Sequence, residues 1–381
     1  MIERVTVFLL SYYDATVYGL SHLPAREIQL VLPALRVDSV ASKRREVRMR
    51  PSTTHVSVTH VPAIYSRVLD PIAIRSGGPS LNSFYLYSGI SDLVSNADCV
   101  ITIEPHTLYS LQVLRTCLSR GPTLIVTSES STQMFTSHVP PYSLWAKYVA
   151  KRASRLMACT ARSLEYLEGL GIQRHRISLN QVHAIDVSEF RPPPRDDSGS
   201  PVRVLFVGVL EKHKGLHTLL SAMNEVAKTV SVELIVVGEG SLVTTLSRSW
   251  RFRILHYPFL TGREYPDIFR RADVFCLPSQ SVRVGDLSLW EEVYGIAPME
   301  AMASGLPIVV TDSGNLPALA GGLNPVVRQG DSGQLASAIS ALATNPDLRR
   351  RIGVANRESM LAQFDPEALR RRWAYTIQTD A

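Results

Sequence analysis

The 381-residue sequence has only four cysteines, Cys99, Cys117, Cys159 and Cys276, and they lie far apart. That spacing excludes a paired metal-binding or redox motif, and a reducing cytosol fits it best. No run reaches the roughly 18 uninterrupted apolar residues that a membrane-spanning helix needs. The opening MIERVTVFLLSYY carries a short apolar stretch without a small-residue cleavage site after it, so it reads as a buried strand. Low-complexity tracts are absent, and both halves are expected to fold. No G-x-G-x-x-G follows a first strand, which weakens a nicotinamide dehydrogenase. No Asp-x-Asp style carboxylate pair stands in a suitable loop, so no divalent metal and no cofactor are expected.

What is present is length, apolar content and an uneven charge. A chain of 381 residues with 45% hydrophobic content exceeds one comfortable core and implies two domains. Residues 1–195 hold 21 Lys+Arg against 14 Asp+Glu, and the remainder 19 against 20, so the +6 excess belongs to the first half. An anionic surface or substrate is the expected partner there. Nucleic acid is not expected, because the basic residues are not interleaved with aromatics.

Strand-like runs alternate with helical ones: VTVFLL, THVSVTHV, ADCVITI, PTLIVTS and RLMACT, then VRVLFVG, VELIVVGEG, FRILHY, ADVFCLPS and PIVVTDSG. Strands spaced by helices imply parallel sheets covered on both faces. EFRPPPRDDSGSP, residues 189–201, breaks the pattern as a linker. The expected organisation is a Rossmann-like domain over 1–195, a second over 196–364, and a C-terminal helix over 365–381 that caps one domain or returns to the other. Two such facing domains bind ligands at the carboxyl ends of their strands, so the site is expected in the cleft between them.

The most informative stretch is WEEVYGIAPMEAMASGLPIVV, residues 290–310. A polar loop reaches Glu292, turns at Gly295 and is expected to enter a helix at Pro298, which Gly305 stops. Helix N-termini offer amides without intrahelical partners and partial positive charge, so the backbone of Tyr294, Gly295, Ile296 and Ala297 suits an anionic diphosphate. Glu300, in the first turn or so, can accept hydrogen bonds from two ribose hydroxyls, or it merely complements the helix dipole while Glu292 is a solvated loop charge.

These residues resemble the retaining GT-B glycosyltransferases of family 4 (glycosyl transferases group 1), whose Glu-x7-Glu signature matches Glu292 to Glu300. The similarity extends to VLFVGVLEKHKGLHTLLSAM, VVGEG, YPDIFRRADVFCLPS and LNQVHAIDVSEFRP, densely in the second domain and thinly in the first. It implies an α/β GT-B fold and a transferase moving a sugar from a nucleotide-diphospho-sugar to a hydroxyl acceptor, with Glu300 on the ribose and Glu292 near the donor sugar and diphosphate. In similar enzymes an Arg and a Lys in the loop that starts at Gly208 grip the diphosphate in place of a metal. Lys214 matches the Lys, but Val209 occupies the Arg position, and Lys212 could supply the missing charge. Other departures are Ala318, where the family has an acidic residue, the lone Gly19 after strand one, and Glu129 near the position of a sugar-contacting histidine. Glu129 either binds sugar hydroxyls or is a plain loop carboxylate. His106 and His138 read as surface or packing histidines.

Two segments stay open. Residues 142–157 read as a helix with Lys147, Lys151 and Arg155 in one row and Leu144, Trp145, Tyr148 and Val149 toward another face. With KRREVRMR at 43–50 it either rests peripherally on anionic lipid or packs on the core with a solvated basic face. SQSVRVGDLSLW, 279–290, is either a donor-gated lid or a surface insertion. Rival functions are a non-catalytic sugar-nucleotide-binding subunit, a nucleotide-sugar epimerase and a phosphorylase.

Overall fold

Eight strands hydrogen-bond in the order β4-β3-β2-β1-β5-β6-β7-β8 in the first of three sheets of the computed structural model, which describes residues 2–8, 20–34, 56–65, 85–130, 135–192 and 201–377. They are β1 (Ile2–Phe8), β2 (Ala25–Ala34), β3 (Val56–Tyr65), β4 (Tyr85–Tyr87), β5 (Cys99–Ile103), β6 (Thr123–Ser128), β7 (Arg155–Ala158) and β8 (Ile177–Leu179). All pair in parallel except β4, which runs antiparallel to β3. Helices α1 (Ser91–Ser95), α2 (Leu108–Arg120), α3 (Phe135–His138), α4 (Tyr142–Arg152) and α5 (Ala161–Gly169) occupy the described connections. Their apolar faces make a core of Val100, Tyr109, Val113, Val126, Val149 and Leu156, all fully buried.

The second sheet has the order β11-β10-β9-β12-β15-β16. Its strands are β9 (Val202–Val207), β10 (Val232–Val237), β11 (Arg253–Tyr257), β12 (Val274–Leu277), β15 (Ile308–Thr311) and β16 (Val326–Val327), while β13 (Val282–Val284) and β14 (Leu287–Trp290) form a separate hairpin. Every residue of β10 and β12 is buried, the pattern of strands covered on both faces. The covering helices are α6 (Leu216–Val226), α7 (Glu264–Phe269), α8 (Ile296–Ala303), α9 (Leu316–Ala320), α10 (Ser332–Thr344) and α11 (Pro346–Phe364).

The chain divides into two compact units that interleave in sequence. The first comprises residues 1–184, 283–290 and the stretch from Pro366; the second comprises 185–282 and 291–365. Helix α12 (Pro366–Ile377) packs on β7 in the first unit, where Trp373 is fully buried and Asn180 Nδ2 donates to Thr376 Oγ1 at 3.3 Å. The 279–290 segment is largely the β13–β14 hairpin, whose second strand packs against α3.

The chain departs from the sequence reading in several elements. Strand β2 was not read, because Pro33 and the charges of Arg26 and Glu27 mask its apolar alternation. The helix expected over 142–157 ends at Arg152, and Arg155 lies on β7, so the expected row of three cations is broken. Val149 is fully buried, while Leu144 and Tyr148 are 63% and 39% exposed. Gly19, the basic run 43–50 and most of the linker lie outside the described residues. The four cysteines are free and buried, and burial pushes the Cys99 and Cys117 thiols up to about 12, which leaves them unreactive.

Candidate active site

In the second unit the candidate residues gather where parallel strands end. β9 runs out at Val207 into Gly208, and the loop to α6 closes with a 3-10 turn over Lys212–Lys214. The loop is braced by its neighbour: Leu210 N donates to Glu239 O, and the Glu211 carboxylate accepts from Ser241 N at 2.8 Å and Ser241 Oγ at 2.6 Å. Gly215 follows with φ 73°, and a Cβ there would sit 1.8 Å from Pro278 O, so only glycine lets this loop lie against the end of β12.

This anchoring aims Lys214 inward. Its Nζ donates to Glu292 Oε2 at 2.7 Å, and Ser279 Oγ donates to the same oxygen at 2.7 Å. Glu292 N is held by Ser313 Oγ at 3.4 Å, and Glu292 O accepts from Asn315 N at 2.8 Å. Gly314, φ 55°, lies so close that a Cβ would be 1.9 Å from Glu292 O. Side-chain exposures of 16% for Lys214 and 11% for Glu292 make this a shielded pair, stronger than a surface ion pair. His213, beside it, is held below the ordinary histidine value, mainly by burial and then by the Lys214 ammonium.

Three residues past Glu292, Gly295 (φ 68°) is the N-cap of α8, which begins at Ile296. The helix thus starts two residues before Pro298, where it had been expected to begin, because left-handed Gly295 already turns the chain. Glu300 consequently lies in the second turn rather than the first. Three residues of extended chain span at most about 11 Å, so the first amides of α8 share a neighbourhood with the Lys214–Glu292 pair. Glu300 is 8% exposed and accepts from Tyr265 Oη at 2.5 Å. Tyr294 is buried, Lys212 is exposed and Val209 is 49% exposed.

The structure thus brings Lys214 and Glu292 into contact, with Tyr294, Gly295, Ile296 and Ala297 next in the chain and Gly208 at the head of the Lys214 loop. Ser279, Ser313 and Tyr265 complete the arrangement and were not foreseen. Single hydroxyls at strand ends carry no periodic signal, and only the preceding strands ADVFCLPS and PIVVTDSG could have pointed to the two serines. A cavity of about 570 Å³ lies elsewhere, at the amino ends of β9, β10 and β11, lined by Arg203, Arg251, Arg253 and Glu233. It contains none of these residues. Among the described residues no group of His, Cys, Asp and Glu is placed to hold a metal ion.

Glu129 belongs to the first unit, just past β6. Its Oε1 lies 3.3 Å from His183 Nε2, and its backbone N donates to Glu104 Oε1 at 2.7 Å. His106 is buried edge-on to Tyr142 but also lies 3.4 Å from Glu104 Oε2, more than the packing role expected of it, and His138 is exposed on the last residue of α3.

Residues 189–359 match the family Glycosyl transferases group 1. Lys214, Glu292 and Glu300 all fall in that segment, and Glu129 does not. Among curated proteins the chain is 25% identical over 259 residues to WcaL of Salmonella typhimurium, named as a colanic acid biosynthesis glycosyltransferase, covering 66% of this chain and 62% of that one. It is 28% identical over 211 residues to a GDP-mannose-dependent monoacylated alpha-(1-6)-phosphatidylinositol monomannoside mannosyltransferase of Corynebacterium glutamicum, covering 51% of this chain and 55% of the relative. The chain thus spans less than two thirds of the length of these relatives. Among solved structures, Anabaena HepE in complex with UDP and glucose superposes with a TM-score of 0.72 at 16% identity, over 98% of this chain and 99% of that one. The fold is therefore of the GT-B class, with two parallel-sheet Rossmann-like α/β domains.

Proposed function

We propose that the chain is a family 4 glycosyltransferase that moves a sugar from a nucleotide-diphospho-sugar to a hydroxyl acceptor with retention of anomeric configuration. The observation that supports it best is the Lys214–Glu292 pair, at the carboxyl edge of the second sheet and inside the segment that matches the family. In this reading the second unit takes the donor and the first the acceptor. Lys214 and the amides of Tyr294, Gly295, Ile296 and Ala297 stabilise the leaving diphosphate as charge develops on it. Gly208 leaves room beside it, Lys212 adds charge where Val209 has none, and Glu300 holds the ribose. Glu292 orients Lys214 and lies near the donor sugar, and Glu129 hydrogen-bonds sugar hydroxyls. Retention needs no separate protein base, because the departing phosphate can take the acceptor's proton on the same face.

Relatives and neighbours named for GDP-mannose and UDP-glucose define the donors to try. The test is nucleoside diphosphate release and sugar transfer by the purified chain with those donors and simple glycosides. Release that Lys214→Ala suppresses supports the reading, and neither binding nor release overturns it. The exposed Val209 favours one second reading, a non-catalytic sugar-nucleotide-binding subunit. Binding without turnover would select it.

The reading includes no cofactor and no divalent metal, so turnover persists in EDTA; loss restored by Mg²⁺ or Mn²⁺ overturns that part. It places the protein in the cytoplasm, on polysaccharide or cell-envelope glycosylation, with a peripheral contact to anionic lipid through α4. No helix among the described residues is long and apolar enough to cross a membrane. On α4, Leu144 and Tyr148 are exposed between Lys147, Lys151 and Arg152, the mixed apolar and basic face that suits a lipid surface. Co-sedimentation with phosphatidylglycerol vesicles but not phosphatidylcholine ones is expected.

A further inference from the structure

The first unit carries a carboxylate that the sequence reading passed over. Glu104 follows β5 directly and has φ 63°, the only non-glycine residue with a positive φ among the described residues. A side chain held in that conformation is kept there by its surroundings, and such residues concentrate at functional sites. Both of its carboxylate oxygens are engaged by the protein. Oε1 accepts from Glu129 N at 2.7 Å, and Oε2 accepts from Ser130 Oγ at 2.8 Å and Ser128 Oγ at 3.3 Å, with His106 Nδ1 at 3.4 Å. Burial opposes its ionisation, but the adjacent His106 imidazole, with the Glu129 amide and Ser130, outweighs it and holds the carboxyl below its ordinary value.

Glu104 therefore grips the backbone from which the Glu129 side chain departs. Glu129 itself reaches the other way, to His183 Nε2 at 3.3 Å on the loop after β8. Its side chain is 20% exposed, so the carboxylate is not closed off from a ligand. A fixed carboxylate oxygen of that kind at the carboxyl edge of a parallel sheet is an acceptor for a hydroxyl.

We propose that Glu104 is a positioning residue, fixing the Ser128–Ser130 segment so that Glu129, braced by His183, accepts a hydrogen bond from a sugar hydroxyl. The assignment rests on the glycosyl-transfer reading above. The hydroxyl belongs to the acceptor or to the donor sugar, and kinetics separate the two sources.

The test uses the full chain with UDP-glucose and GDP-mannose as donors and methyl α-glucoside and methyl α-mannoside as acceptors. Glu104→Gln keeps the shape and removes the charge, and it should raise one KM about tenfold, roughly what one lost charged hydrogen bond produces. A rise in the glycoside KM alone marks an acceptor hydroxyl, and a rise in the sugar-nucleotide KM marks a donor hydroxyl. Glu129→Gln should raise the same constant, and Glu104→Gln should add nothing in that background, because it acts through Glu129. Where Glu104→Gln fails to fold, Ser130→Ala removes a single donor from the segment and takes its place in the comparison. A lowered melting temperature with both KM values unchanged, or fully additive effects, overturns the assignment while leaving glycosyl transfer intact. A wild-type chain that turns over no donor overturns the underlying reading, and the assignment with it.

Discussion

Lys214 and Glu292, 78 residues apart in sequence, meet at 2.7 Å on an oxygen that Ser279 also engages. The ammonium is held in one place and is balanced by a carboxylate. In the proposed function a diphosphate would share or take over a cation that is already oriented. Such preorganisation is how fixed charges stabilise developing ones without reorganising at the moment of reaction.

Removing the ammonium should be costly twice over. Lys214→Ala leaves a shielded carboxylate with Ser279 as its remaining side-chain donor among the described residues, at a cost of about 1–3 kcal/mol in stability. It should also lower kcat about 100-fold, as loss of one preorganised donor does, and raise the donor KM. Steady-state kinetics beside a urea melt check both effects, and unchanged kinetics would remove Lys214 from the site.

Tyr265 is expected to matter through Glu300. Its hydroxyl donates to Glu300 Oε2, and Tyr265→Phe removes that one donor while keeping the ring that packs edge-on against Phe190 and Phe269. Nucleotide affinity measured by calorimetry should fall several-fold, in line with about 1 kcal/mol for one hydrogen bond. Unaltered affinity would show that Glu300 does not need this brace or does not touch the ribose.

Gly314→Ala drives a methyl group into Glu292 O at a φ that L residues rarely adopt. The loop must move, destabilising the chain by about 1–3 kcal/mol and displacing Glu292 from Lys214. A lower melting temperature together with weaker donor binding is expected, whereas Gly322→Ala, where a Cβ meets nothing within 4 Å, should leave donor binding unchanged.

Acid should destabilise the fold in two successive windows. The folded value of His213 is depressed below 6.5, so the unfolded state takes up the proton first and stability falls as pH drops below 6.5 toward the folded value. Glu104, depressed below 4.5, contributes stability that is fully present above 4.5 and is lost as pH falls through its folded value. Urea melts from pH 8 to 3 should show both losses; His213→Asn should abolish the upper one and Glu104→Gln the lower one.

Much of the second unit could be read directly, because fully buried parallel strands appear as continuous apolar runs and Gly295, Pro298 and Gly305 punctuate the helix that carries Glu300. The same residues misplaced the helix start by two positions, since proline was taken for N1 when left-handed Gly295 had already begun the turn. The first unit was harder. The Arg155–Ala158 strand, legible in RLMACT, adjoins helix α4 without a breaker, so its arginine also fits the helical row. Glu104 was invisible for another reason: a single carboxylate after a strand has no period, and its importance lies in a backbone angle and in partners 24 to 26 residues away. Tertiary hydroxyl contacts, such as Ser279 and Ser313 on Glu292, leave no pattern in the chain.

Helix α12 bears on how the protein is made. Synthesis delivers residues 1–184 first, yet Trp373 and Thr376, which complete the first unit over β7 and beside Asn180, leave the ribosome only after the whole second unit. A nascent chain therefore carries an unfinished first unit until Pro366–Ile377 emerges to stitch it closed. Chains stopped at Asp365 would present that exposed apolar seam to chaperones and proteases, however sound the Lys214 site remained.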